Sequence, residues 1–238
     1  MITNAGSGTN VHEIAPGIFR INTPVPLANG FFNFNQYLVM GEEPLLFHTG
    51  PRKLFALVRE AIEKVIPSSR LRYLAFSHYE ADECGSLNEL LAVAPHAMPV
   101  CSRVAAMVSI NDVADRPARA MADGEVLETG DHALRWIDTP HVPHGWESGV
   151  MMDASTGTLF CGDLFTQSGR GELALTQDDI LEPSEAFRKR TDYYTHAPDT
   201  GSLLEKLAAQ KPSVLAVMHG SAWQGDGGRL LRELAAAL

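Results

Sequence analysis

Ser77-His78-Tyr79-Glu80-Ala81-Asp82-Glu83 places four side chains able to bind a metal ion within six positions. In an extended segment His78, Glu80 and Asp82 would share one side, an arrangement that neighbouring carboxylates tolerate when a cation neutralises them. Taken alone, the stretch could equally be a solvated acidic turn. Three more polar spots lie further along: His141 and His144 within Thr139-Pro140-His141-Val142-Pro143-His144-Gly145-Trp146-Glu147, Asp163 after Phe160-Cys161-Gly162, and His219 before Gly220. Each by itself reads as a hydrogen-bonded loop residue or a common turn. Together they point to a coordinated metal centre.

The elements that must hold these residues can be read from the apolar pattern. Each polar spot follows a short apolar run and falls in a loop, where a rigid scaffold presents ligands. Leu71 to Phe76 has the length of a buried strand, and Ser86 to Ala94 has helical spacing, so the first cluster joins a strand to a helix. Before it, Ile18–Ile21 and Gln36–Met40 read as strands, and Gly41-Glu42-Glu43-Pro44 turns the chain into Leu45-Leu46-Phe47. Leu54, Leu57, Val58, Ala61, Ile62 and Val65 mark one face of a helix. Pro99–Cys101 reads as a strand and Val104–Val108 as a helix, while residues 116–123 carry little pattern and are expected to wander on the surface. From 125 onward, the runs 125–128, 133–138, 150–153 and 158–161 suggest a second set of antiparallel strands. Residues 185–194 and 203–209 then read as helices, 214–218 as a strand and 230–238 as a closing helix. No linker or internal repeat interrupts residues 1–238, so one domain is expected.

Composition narrows the partners. A net charge of −10 disfavours nucleic acid and anionic membrane surfaces. No apolar run is long enough to span a bilayer, and the first ten residues lack the basic start and apolar middle of a signal peptide. Cys84, Cys101 and Cys161 form no paired framework and are expected to be small buried side chains in a reducing compartment. These features suggest a cytoplasmic protein.

The order His78-x-Glu80-x-Asp82-Glu83, then Thr139-Pro140 leading to His144, then Gly162-Asp163, then His219-Gly220 resembles the metallo-β-lactamase fold superfamily. Asn35 to Val39, Leu46-Phe47-His48-Thr49-Gly50 and Thr158 to Phe165 extend the resemblance over nearly the whole chain. It implies a four-layer αββα sandwich of mixed α/β (α+β) class, with two metals at one edge of its two sheets. The hydrolase form of the first motif is H-x-H-x-D-H. Glu80 in the second slot is instead similar to the di-iron branch, the β-lactamase-like domains of flavodiiron proteins and their stand-alone oxygen-binding relatives. Glu83 departs from that branch as well, whose motif ends in histidine.

Carried over position by position, the resemblance gives His78, Glu80 and His144 to one metal, Asp82, Glu83 and His219 to the other, and Asp163 to both. His144 is preferred to His141 because His144-Gly145-Trp146-Glu147-Ser148 matches a stretch following the ligand histidine in the di-iron branch. His141 and Glu147 become supporting residues, and His48, where many relatives carry aspartate, a candidate outer partner. Tyr193, Tyr194 and His196 could cover the cleft, and Phe31, Phe32 and Phe34 could wall it. His12, His96 and His132 carry no motif and are expected on the surface. Four carboxylates would neutralise two divalent cations, and hard oxygen donors suit iron or manganese better than zinc.

The implied activity is binding or reduction of O2, or of NO, at two iron ions, making an oxidoreductase the leading expectation. The chain ends at Leu238 without a flavodoxin-like segment, so electrons would come from a separate flavoprotein or rubredoxin-like partner. Two alternatives stand beside it. One is a non-enzymatic oxygen carrier or sensor acting on a signalling partner. The other is a dinuclear hydrolase of thioesters, lactones or phosphodiesters, with zinc-activated water. Related di-iron domains commonly form homodimers, so a dimer is expected.

Overall fold

A computed structural model describes residues 1–238, built as two sheets face to face with helices on both outer sides. The first sheet has eight strands in sequence order: β1 (Ile2–Asn4), β2 (Thr9–Ala15), β3 (Ile18–Leu27), β4 (Gly30–Val39), β5 (Leu45–Phe47), β6 (Tyr73–Ala75), β7 (Met98–Ser102) and β8 (Arg119–Met121). It is antiparallel through β5 and parallel from β5 to β8. The second sheet contains β9 (Val126–Glu128), β10 (Ala133–Asp138), β11 (Gly149–Asp153), β12 (Thr158–Gly162), β13 (Leu175–Thr176), β14 (Val214–Val217) and β15 (Ala222–Gln224). Its order is β13-β15-β14-β12-β11-β10-β9, with β12 and β14 parallel neighbours.

The helices are α1 (Phe55–Glu63), α2 (Ala81–Cys84), α3 (Leu87–Val93), α4 (Arg103–Ala105), α5 (Asn111–Val113), α6 (Leu181–Thr191), α7 (Thr200–Ala208) and α8 (Gly227–Ala237). The apolar face anticipated for α1 buries Val58, Ala61 and Ile62 against Ile21, Leu38, Leu46 and Leu74, with Leu87, Leu90 and Leu91 of α3 alongside. On the opposite side, α7 and α8 lay Leu204, Leu207, Leu230, Leu231 and Leu234 over Leu159, Leu215 and Val217. Between the sheets, Tyr37, Val39, Phe47 and Val100 meet Trp136, Met151, Phe160 and Ala216. The expected αββα layering is therefore present. No helix is long and apolar enough to cross a membrane.

Some local expectations need correction. Residues 116–123 do not wander, since Arg119–Met121 pairs in parallel with β7 as the sheet's edge strand. The opening residues, for which no element was expected, form β1 and β2, with Val11 and Ile14 buried. The helix expected over 185–194 begins at Leu181, where Asp179 Oδ1 accepts the Leu181 and Glu182 amides at 2.7 and 3.2 Å, and ends at Asp192 with φ of 52°. His132 is buried, with its Nδ1 2.8 Å from Asp153 Oδ2. All three cysteines are free and buried, as expected.

Candidate metal centre

Backbone topology explains why distant residues meet. β12 and β14 run parallel side by side, so Asp163 and His219, just past their ends, become neighbours. Ser77-His78 follows β6 of the opposite sheet, and the amide of Gly149 donates to the Ser77 carbonyl at 2.9 Å, joining the two sheets at this edge. Gly162 has φ of 55°, and a Cβ there would lie 2.8 Å from Ser77 Oγ, so the sheets approach closely at the site only with glycine. Glu80 is the extended residue preceding α2, which puts Asp82 and Glu83 in that helix's first turn. His144 comes from the loop between β10 and β11.

One group of side chains converges tightly: ligand atoms of His78, Glu80, His144 and Asp163 all lie within 4.8 Å of one another. His78 Nε2 and His144 Nε2 are 2.9 Å apart, and Glu80 Oε2 lies 3.2 and 3.3 Å from them. Asp163 turns Oδ2 toward these two rings, at 3.8 and 3.4 Å, and Oδ1 toward His219 Nε2, at 3.2 Å. His219 Nε2 is also 3.3 Å from Asp82 Oδ2. The Asp163 carboxylate thus faces two histidine groups, one on each side.

Hydrogen bonds at the backs of the rings fix which nitrogen points inward. His144 Nδ1 donates to the Tyr193 carbonyl at 3.0 Å, and His219 Nδ1 to the Asn33 carbonyl at 2.8 Å. A carbonyl only accepts, so in each neutral ring Nε2 carries a lone pair aimed at carboxylate oxygens. Lone pair against carboxylate repels unless a proton or a metal cation lies between. Without metal, protons take that role. Burial disfavours the charged rings, but hydrogen bonds and the charges of Glu80, Glu83, Asp163 and Asp82 outweigh it, raising His78 and His144 to about 9 and His219 to about 10. Hydrogen bonds from His144 and His78 bring Glu80 down to about 2. Asp163 lies well below the usual carboxylate range, because hydrogen bonding to His219 and the nearby imidazolium charges outweigh its burial. Imidazole and carboxylate donors converging at His78, Glu80, His144 and Asp163 fit a metal ion, and Asp82 and His219 lie on the far side of Asp163 with donors of the same kind.

The remaining expected residues fall at different distances. His141 is exposed in a tight turn with φ of 66° and is absent from the converging group. Glu147 is buried and accepts the Tyr79 amide through Oε1 at 3.0 Å, tying the His144 loop to the His78 loop. Glu83 and His48 are fully buried and paired with each other through Oε2 and Nε2. Burial pushes Glu83 well above the usual carboxylate range and His48 down to about 3. Tyr193 gives its hydroxyl to the Asp163 carbonyl at 3.0 Å, as well as holding His144. Tyr194 packs in the core under α7 and α8, and His196 is exposed, paired with Asp192. Phe32 stacks on His219 at 4.3 Å and Phe34 meets it edge-on at 5.3 Å, whereas Phe31 stacks under Arg170.

Sequence patterns had not singled out Asn33, Arg20 or Phe187. Phe187 of α6 bridges Phe32 and Tyr193, closing an aromatic arch between the two histidine groups. Arg20 is fully buried and donates to the carbonyls of Gly171 and Gly220 at 2.9 and 2.8 Å, bracing the turn after His219. Asn33 accepts the Gly220 amide at 2.8 Å. A charged residue in a strand of a two-sheet core is the one signal that could have flagged Arg20.

Residues 32–220 match the family described as ODP family beta lactamase. An anaerobic nitric oxide reductase flavorubredoxin from Salmonella arizonae is 26% identical over 205 residues, covering 82% of this chain and 42% of that protein. Rubredoxin oxygen:oxidoreductase from Desulfovibrio gigas superposes with a TM-score of 0.83 at 22% identity, over 95% of this chain and 62% of that one. A variant of the flavo di-iron protein from Thermotoga maritima gives 0.82 at 19% identity, over 96% and 62%. The chain spans only 25 to 42% of the length of such curated relatives.

Proposed function

This chain belongs to the ODP family of beta-lactamase-like proteins, and on that premise we propose that it is a non-haem di-iron protein that binds or reduces O2 or NO. The observation that carries the reading is the Asp163 carboxylate, whose two oxygens face separate histidine groups. One iron would be held by His78, Glu80, His144 and Asp163. The other would be held by Asp82, His219 and Asp163, with Glu83 nearby. When bound, the iron pair supplies the electrons and the open coordination positions that a diatomic gas requires.

The protein's own residues do the rest. The Tyr193 and Asn33 carbonyls keep the inward nitrogens of His144 and His219 free for metal. Phe32, Phe34 and Phe187 line one side with apolar rings, which limits water and suits an uncharged gas. Glu80, whose side chain is 51% exposed, leaves the His144 side as the approach from solvent. The named activities of the nitric oxide reductase flavorubredoxin and the rubredoxin oxygen:oxidoreductase support a flavin- or rubredoxin-type protein as electron donor.

Iron and zinc content of protein from iron-supplemented cells, together with the absorption spectrum of a reduced anaerobic sample before and after O2, tests this reading. Two irons per chain and an oxygen-dependent band are expected. A zinc-only protein that stays spectroscopically silent after iron reconstitution and hydrolyses thioesters or lactones would overturn it.

A further inference from the structure

Behind His78, away from the converging ligand atoms, lies a closed set of buried polar side chains. His48 Nε2 contacts Glu83 Oε2 and lies 3.3 Å from Ser77 Oγ. Ser77 Oγ is 2.9 Å from His78 Nδ1, and Glu83 Oε1 is 3.9 Å from that same nitrogen. His48 and Glu83 are both 0% exposed, and beyond their mutual contact the Glu83 carboxylate oxygens have no hydrogen-bond partner. Nδ1 is the outward nitrogen of His78, since Nε2 faces His144 and Asp163. Glu83 therefore meets His78 from the rear. It is not among the carboxylates within 4.0 Å of His219 Nε2, which are Asp82 and Asp163.

We propose that Glu83 is a positioning residue for the first metal ion rather than a ligand of the second, holding the orientation of His78 together with His48 and Ser77. The proposal rests on the dinuclear reading above and departs from the ligand set that the sequence pattern implied. Its chemistry is that of a ligand histidine whose other nitrogen is held by an outer polar network, which fixes the ring and raises its donor strength. His48 contributes by occupying one Glu83 oxygen. Its φ of 65° turns it back toward Ser77 at the end of β5. The second ion then has three protein ligands, Asp82, Asp163 and His219, against four for the first, so the two ions load in order, the His78 side first.

Anaerobic titration with Co(II), read by calorimetry and by visible absorption, tests this without any activity assay. Asp82→Ala isolates the first ion and Glu80→Ala the second. Adding Glu83→Gln to Asp82→Ala should weaken the remaining ion about 10- to 100-fold, and adding it to Glu80→Ala should leave affinity unchanged. His48→Gln in the Asp82→Ala background should give the same loss, and reads the same network if Glu83→Gln fails to fold. The opposite pattern, with the second ion lost and the first untouched, overturns the inference alone. Fewer than two cobalt ions per wild-type chain overturns the dinuclear reading, and the inference with it.

Discussion

The two halves of the centre are built from similar residues but framed in different ways. On the His144 side, side chains from three loops converge, and two of them, Glu80 and His144, are 51% and 23% exposed. On the His219 side, the ring is 4% exposed and Asp82 22%. His219 is held by strand β4, by the rings of Phe32 and Phe34 and by a turn that Arg20 and Asn33 brace. On the proposed assignment the His144 half would have more ligands in a more open frame, and the His219 half fewer ligands in a more enclosed one. If the proposed ligand sets hold, the denser hydrogen-bonded frame falls where ligand number is low, and it would keep a three-ligand half in geometry until an ion arrives.

Asp163→Asn should break the comparison altogether, because this carboxylate faces both halves and is proposed to serve both. Both ions are expected to be lost, with the affinity of each falling by orders of magnitude, as equilibrium dialysis against Co(II) would record. Retention of two tightly held ions would remove Asp163 from the bridging role. Glu80→Ala should separate the halves, abolishing the ion on the His144 side and leaving one ion per chain. Undiminished iron in that variant would sink the assignment of Glu80.

The histidines also separate metal-free from metal-bound protein. His78 and His144 are raised to about 9 and His219 to about 10, all above the ordinary value near 6.5. Groups whose folded pKa is raised stabilise fully below the unfolded value, and the contribution is lost as pH climbs through the folded one. The stripped protein should therefore lose stability between about pH 6.5 and 10. The loaded protein, with metal in place of those protons, should hold its melting temperature over most of that range. Thermal melts of chelated and reconstituted samples at pH 6.5, 8 and 9.5 test this, and parallel curves would contradict it.

How much of this was legible in the chain follows from which contacts are local. The His78-x-Glu80-x-Asp82 spacing is local, and so is its place between a strand and a helix; both could be read directly. That His144 and not His141 joins the converging group was legible only through resemblance, and the positive φ of His141 leaves no mark in composition. The His48–Glu83 pair joins residues 35 positions apart and depends on β5 and β6 lying side by side, which no periodicity reveals. The carbonyls of Tyr193 and Asn33 that set two ring tautomers are main-chain groups and have no sequence signature at all. The edge strand Arg119–Met121 was missed because three residues pairing on one side need not alternate. His132 carried no motif, yet it is buried against Asp153.

The difference in framing can be sharpened by paired removal of one supporting side chain from each half. Asn33→Ala deletes the acceptor of the Gly220 amide and the donor to Asn22 Oδ1, both at 2.8 Å in a fully buried setting. Leaving those groups unpaired should cost about 1–3 kcal/mol and weaken the ion on the His219 side. Tyr193→Phe deletes one hydroxyl bond, 3.0 Å to the Asp163 carbonyl, while the main-chain carbonyl that holds His144 stays in place. Its cost should be about 0.5–1.5 kcal/mol, with a smaller change in metal affinity. Denaturant midpoints together with Co(II) titrations of both variants measure the contrast. A Tyr193→Phe effect as large as that of Asn33→Ala would mean that the His144 half, despite its exposure, is framed as firmly as its neighbour.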